Sequence, residues 1–383
     1  MDFELNRDQI EIQKAAREFA KGEFEKEIAV EHEISHTFPF EIWKKACELG
    51  FTGIHFPESY GGQEYGLLEN VLVAEEFCRQ DSGIGIALTL ADFASEIILR
   101  FGSEEQKKTY LVPITRGEAI SCGGFTEPDH GSDITFLNTS ARKEGDEYVI
   151  NGVKTFITNG TIGNFVLLLC QTDPEIDPTY RGQSIIIVET NRDGFTASSV
   201  GEKMGIKMSP TAELSFTDVR VPASNLVGEE NRGFYQALEF FDESRIEIAA
   251  QALGIAQGAF DRALAYTKQR RQFGKKLAEF QATQHKLADM ATQIETARLL
   301  VYKAAWNYDQ GRIDPKLSSM AKMYAGRMAV EVADEAIQLF GGYGYMLEYE
   351  VERFYRDAKI MEIYEGTREI QKNTIASALL GKL

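Results

Sequence analysis

The chain has 383 residues and a formal net charge of −18, a length that calls for two or three hydrophobic cores rather than one. Charge of that sign, with no basic block to offset it, argues against a nucleic-acid partner and leaves anionic ligands to local arginines or helix N-termini. The four cysteines show no CxxC or paired spacing, no apolar run reaches membrane-spanning length, and "MDFELNRDQIEIQ" lacks a signal-peptide pattern; the expectation is a reduced, cytoplasmic protein without membrane insertion.

Residues 1–121 read as a helical domain. Ile12, Ala15, Ala16, Phe19 and Ala20 keep helical spacing, with Asn6 and Gln9 as a capping pair. His32-Glu33-Ile34-Ser35-His36 matches HExxH, but "HTFPF" follows at once, so the reading is a solvated loop between helices, with no metal. Further helices are expected over about 40–50, 67–80, 84–101 and 103–116, interrupted by the loop "FPESYGGQEYG".

Residues 122–231 change texture. "EYVINGVKTFIT" carries Asn-Gly between two β-rich runs, a strong hairpin signal, and "NFVLLLCQT", "QSIIIVET" and "AELSFTDVRV" are short and rich in branched residues. Such spacing suggests a small barrel or sandwich. Residues 232–383 return to long helical patterns, many with small residues suited to tight helix packing.

Several segments are candidates for chemistry. "GGFTEPDHGSDITFL" (123–137) combines backbone donors, hydroxyls and glycines where helices give way to strands; it reads equally as a ligand loop or a turn-rich linker. In "KQRRQFGKKL" (268–277), Arg270 and Arg271 suit a pyrophosphate, although a solvated helix end is the plainer reading. "GGYGYM" follows a helix rather than a strand, which argues against a Rossmann-type site. Glu365 stands just before Gly366 and a helix that Thr367 can cap. The positive end of a helix favours the charged carboxylate and weakens it as a base, so burial or a ligand must push the other way.

In order and spacing, "GGFTEPDHGSD", "FIT" (156–158), "RRQFG" (270–274), "QLFGGYGY" (338–345) and "IYEGT" (363–367) are similar to motifs of the flavin-dependent acyl-CoA dehydrogenases, over almost the full length. The resemblance implies an α+β fold with an N-terminal all-α domain, a middle β-barrel or sandwich and a C-terminal four-helix bundle. It implies FAD held without a Rossmann motif. Phe125, Thr126 and Ser132 would line the flavin, Ser132 also the start of the CoA arm, and Phe156, Ile157 and Thr158 the isoalloxazine ring. Arg270, Gln272, Phe273 and Gln281 would come from a neighbouring subunit to the FAD pyrophosphate and adenosine, with Gln338, Leu339, Gly341, Gly342, Thr367 and Glu369 as further FAD contacts. Asp242, Arg245 and Gly366 would meet the acyl-CoA. The implied assembly is a homotetramer, a dimer of dimers, and the implied electron acceptor is an electron-transferring flavoprotein.

By the same resemblance Glu365 is the catalytic base, taking the pro-R α-proton while the β-hydrogen leaves as hydride to flavin N5. A minority of relatives carry the base at the position of Ser244, and Glu243, one residue earlier, should point away from the site. Asp92 departs from the pattern, since relatives usually carry a neutral residue there. It reads as a contact for a polar acyl substituent, as a second base on a cyclic substrate, or as a water-facing acid one step off the pocket. The same site run as an enoyl-CoA reductase or an acyl-CoA oxidase, and a flavin-free helical scaffold, are the competing functions.

Overall fold

The computed structural model describes residues 4–381. Seven helices come first: α1 (Arg7–Glu23), α2 (Lys26–Ser35), α3 (Phe40–Glu48), α4 (Leu67–Gln80), α5 (Ser82–Thr89), α6 (Glu96–Phe101) and α7 (Glu104–Thr115). The Asn6/Gln9 capping box at the start of α1 is present in both directions. Two expectations fail here. Residues 84–101 do not form one helix, because the chain breaks between α5 and α6, with Ala94 at φ 71°. The break is stable because its carbonyls find partners outside a helix: Asn159 Nδ2 donates to Leu90, the Ser121 amide to Ala91 and the Ser121 hydroxyl to Phe93. The segment around Glu33 is not a solvated loop. It lies in α2, and Glu33 accepts from Arg353 and Arg356, binding α2 to a helix more than 300 positions away.

Seven strands follow, β1 (Ser121–Gly124), β2 (Ser140–Glu144), β3 (Glu147–Thr158), β4 (Phe165–Gln171), β5 (Gln183–Glu189), β6 (Phe195–Ser199) and β7 (Thr211–Pro222). They make one curled sheet in the order β1-β4-β2-β3-β7-β6, with β5 on β4. The expected Asn-Gly hairpin is absent: β3 runs straight through Asn151 and Gly152, and the chain reverses instead at Gly145-Asp146. A Cβ at Gly152 would lie 2.5 Å from Thr139 Oγ1. That glycine therefore serves close strand approach and a local irregularity, not a turn.

The chain then forms α8 (Gly233–Gln269), a short hairpin of β8 (Arg271–Gln272) and β9 (Lys275–Lys276), α9 (Gln281–Asp309), α10 (Pro315–Phe340), α11 (Val351–Ala358) and α12 (Arg368–Leu380). Helices α8, α9, α10 and α12 pack as the C-terminal bundle, and α4 from the first region lies along α8. At that crossing a Cβ on Gly254 or Gly258 would meet the carbonyl oxygens of Glu75 and Arg79 at 2.4 and 2.3 Å. Glycine is needed for the backbones to approach so closely. The continuous apolar core formed there sets the first and third regions as one floor beneath the ligand-facing loops. Among the described residues no helix is long and apolar enough to cross a membrane.

Candidate active site

Glu365 leaves the turn after residues 359–362 with φ 52°, and Gly366 follows at φ 91°. A non-glycine residue held in the left-handed region stores strain, so its surroundings must fix it. They do. Ser244 Oγ on α8 donates to Glu365 Oε2 at 2.7 Å, Gln371 Nε2 donates to the carbonyls of Glu365 and Gly366 at 3.0 Å, and Lys322 Nζ on α10 donates to Gly366 at 2.6 Å. Thr367 caps α12 through Ile370 N, as its position suggested. Burial raises the proton affinity of Glu365, against the Ser244 hydroxyl and the charges of Lys322 and Arg245. The helix field is therefore outweighed by burial, the condition that a useful base requires. Beside it Tyr364 donates to Gln251, and Gln251 to Thr89.

Asp92 sits at the α5–α6 break, partly buried. Burial lifts its carboxyl to about 6, although backbone N–H groups of Asp92 and Gly53 favour its charge, and the nearby Glu243 adds to the rise. A polar group of His55, Glu96 and Glu247, of which Glu96 is buried and the other two partly so, has side-chain atoms within 4.8 Å of one another, and Asp92 acts on both of its carboxyls. Burial pushes both carboxyls towards the neutral acid and His55 towards neutral imidazole. Glu243 does point away from Glu365: it accepts from Arg100, and from Tyr308 at 3.1 Å. Glu247, three residues beyond Ser244 on α8, feels the charge of Glu365, so this polar group adjoins the base.

The 123–137 loop has a buried anchor. Lys154 Nζ from β3 donates to Phe125 O at 3.0 Å and Glu127 Oε1 at 2.9 Å, and Glu127 accepts from the amides of Asn138 and Thr139. Thr126 O accepts from Thr155 N, and Glu127 and His130 exchange backbone bonds, with the His130 ring resting on Phe136. Thr126 and Ser132 stand at the rim of this loop, partly and largely exposed. Phe156 is 68% exposed at φ 57° beside a β3 irregularity, so its ring is turned outwards for a planar ligand. Thr158 is partly exposed near it.

Three of the expected cofactor contacts have side chains that pack inwards. Ile157 points into the sheet core, Leu339 into the bundle core, and Phe125 packs with Phe240 and Phe241. The segment read plainly as a solvated helix end is instead a hairpin, with Phe273 and Gly274 both at positive φ. Arg270, Gln272, Gln281, Gln338, Gly341, Gly342 and Glu369 are all exposed, and Phe273 is 95% exposed. The hairpin packs on its own α8. A wholly exposed phenylalanine among cations is what a second molecule would cover. Asp242 and Arg245 pair at 3.8 Å, and the buried Arg245 Nε has no partner.

The match to known proteins is now decisive. Models of the acyl-CoA dehydrogenase N-terminal, middle and C-terminal domains match residues 6–118, 122–219 and 231–380. This chain belongs to the acyl-CoA dehydrogenase family. It is 44% identical to a short-chain-specific acyl-CoA dehydrogenase of Clostridium acetobutylicum, covering 99% of this chain and 100% of that one. It is 41% identical to the caffeyl-CoA reductase-Etf complex subunit CarC of Acetobacterium woodii, covering 97% and 98%. Butyryl-CoA dehydrogenase from Megasphaera elsdenii superposes with a TM-score of 0.95 at 41% identity, covering 99% and 100%.

For an acyl-CoA dehydrogenase the residues present fit FAD. Phe156 offers a face for the flavin ring, the anchored 123–137 loop offers Thr126 and Ser132, and a Cβ on Gly131, Gly341 or Gly342 would meet nothing within 4 Å. The sequence did not reveal Lys322 or the Lys154–Glu127 pair. Lys322 left one trace: in α10 it shares helical spacing with buried Ser318, Ala325 and Ala329, a cation on a core face. A carboxylate base acts only when ionised, so with Glu365 in that role the acid limb of flavin reduction against pH is expected above the ordinary carboxylate range. Ser244→Ala, which removes a hydrogen bond to the charged form, should move that limb further up. A limb at or below the ordinary value in stopped-flow bleaching contradicts this reading of the site.

Proposed function

We propose that this protein is an FAD-dependent acyl-CoA dehydrogenase acting on a compact acyl-CoA thioester, with a short, branched or alicyclic acyl group. The product is the 2-enoyl-CoA, and the electrons pass to an electron-transferring flavoprotein. The reading rests on Glu365, a partly buried carboxylate held in a strained turn by Ser244 and Gln371. Glu365 takes the α-proton, and its backbone N–H is the donor towards charge growing on the thioester oxygen. Bound FAD supplies the acceptor for the hydride leaving the β-carbon. One preorganised donor to the developing oxyanion is worth about 3 kcal/mol. Asp242 and Arg245 hold the CoA portion. The exposed set from Arg270 to Gln281 completes the FAD site of a neighbouring subunit in a homotetramer.

The acyl group is compact because polar side chains stand on two sides of the base. Ser244, Glu247 and Gln251 follow one another along α8, Thr89 is bonded to Gln251, and Asp92 lies at the break just beyond Thr89. A long alkyl chain would have to desolvate these groups without partners. Asp92 has two roles open to it: a hydrogen bond to a polar acyl substituent, or a second proton acceptor on a cyclic substrate. Asp92→Asn separates them, since the amide keeps hydrogen bonding and loses basicity. If Asp92 is a base, the variant should slow flavin reduction by its best substrate roughly 10²-fold or more while binding persists. Equal rates for Asn, Ser and wild type across a straight, branched and alicyclic acyl-CoA panel would remove Asp92 from the mechanism.

Anaerobic flavin bleaching with that panel tests the function as a whole. Protein without flavin absorbance, and with none after reconstitution, would support the scaffold reading. Kinship with a caffeyl-CoA reductase subunit favours the reverse direction as a second reading. Glu365 would then deliver the proton, and faster turnover with the enoyl-CoA and reduced flavoprotein than in the forward assay is the expected sign.

A further inference from the structure

We propose that Lys322 is a positioning residue for proton abstraction: its ammonium holds the Gly366 carbonyl, and with it the turn that aims Glu365, and sets a positive charge beside that turn. The inference rests on reading Glu365 as the base. Lys322 is 1% exposed and rises from the buried face of α10, with Nζ 2.6 Å from Gly366 O. A hydrogen bond alone does not account for it. Gln371 already donates to that same oxygen at 3.0 Å and to Glu365 O at 3.0 Å. The carbonyl thus has a neutral donor, and what the lysine adds is charge, at the desolvation cost every buried cation carries.

The charges around Lys322 support that role. Burial pulls its ammonium down to about 7; Glu365 opposes the fall, Arg245 on α8 adds to it, and Glu362 opposes it weakly. Glu362 is engaged by Arg368 at 3.1 Å and Arg327 at 3.7 Å. On the carboxylate side Ser244 donates a neutral hydroxyl, while Lys322 and Arg245 supply the positive fields that favour the charged base. Between those two cations, only Lys322 also grips the turn that aims Glu365.

The experiment compares wild-type, Lys322→Gln and Lys322→Arg holoenzymes for FAD content, affinity for a non-reducible acyl-CoA thioether, and rate of anaerobic flavin reduction against pH. Lys322→Gln should keep FAD and thioether binding, lose roughly tenfold in rate at pH values below its acid limb, and recover as pH rises. An acid limb that moves up by about one pH unit slows the reaction about tenfold below it. Lys322→Arg should keep its acid limb near that of wild type. An unmoved limb in Lys322→Gln, or an equal loss at every pH, overturns the proposal. If the glutamine variant does not accumulate as holoenzyme, an arginine variant whose limb rises despite its charge overturns it as well. Failure of the base reading is seen separately, as undiminished flavin reduction in Glu365→Gln.

Discussion

Glu365→Gln is expected to retain FAD and acyl-CoA binding and to lose roughly 10²–10⁴-fold in the rate of flavin reduction, the usual contribution of a positioned base. The amide is isosteric with the carboxylate, so the Ser244 hydroxyl keeps an oxygen to meet and Lys322 and Gln371 keep the carbonyls they hold. The backbone N–H at 365, the proposed donor to the thioester oxygen, is untouched. What disappears is a lone pair basic enough to take a carbon-bound proton. The loss should therefore fall on the chemical step and not on affinity, which separates catalysis from uniform binding. Single-turnover stopped-flow reduction with a bleaching substrate, beside titration with a non-reducible analogue, reads both quantities. An unchanged reduction rate would show that another group takes the proton, with Asp92 the next candidate.

Lys154→Met should be the most destabilising single change near the cofactor. Lys154 and Glu127 are buried at 0% and 1% side-chain exposure, 2.9 Å apart, and the lysine also holds Phe125 O. Burial works against both charges. Yet Lys154, together with the amides of Asn138 and Thr139, holds the Glu127 carboxyl below its ordinary value, so the glutamate is ionised. Removing the cation leaves a buried carboxylate uncompensated, at a cost of about 3–5 kcal/mol. The 123–137 loop would then lose the anchor that presents Thr126 and Ser132. The expected result is a lower denaturation midpoint and purification with depleted flavin.

Adding Glu127→Gln should restore part of the stability, because the unpaired charge goes with it. A double variant no more stable than Lys154→Met would refute the charge argument. The depressed Glu127 value also fixes the sign of the acid response. Its contribution is complete above the ordinary glutamate value and is lost as pH falls through the folded one. In the double variant that part of the pH dependence should vanish.

Much of this protein could be read from local chemistry. The capping pair of Asn6 and Gln9 and the strands "NFVLLLCQT" and "QSIIIVET" obey rules acting over a few residues, and each forms as expected. The spacing of "GGFTEPDHGSD" and "IYEGT" named the family because those motifs carry the chemistry in contiguous stretches. Where local rules misled, distant partners had intervened. Asn151-Gly152 has the composition of a turn, but Thr139 packs against it and β3 continues. Glu33 looked solvated until Arg353 and Arg356 came to it from the end of the chain. Residues 84–101 are helical by pattern, yet Ser121 and Asn159 capture the carbonyls that would have closed the ladder.

The sequence by itself determined most of the elements and the family, and it singled out Glu365 as the proposed base, since all of these rest on residue types at short, regular spacing. Only the tertiary structure decided that Lys322 and Ser244 converge on the Glu365–Gly366 turn, that Lys154 holds the 123–137 loop, and that Asp92 lies near Glu96 and Glu247. These are meetings across tens to hundreds of residues. Burial and charge pairing there set the proton affinities, and neither exists until the helices and the sheet have packed.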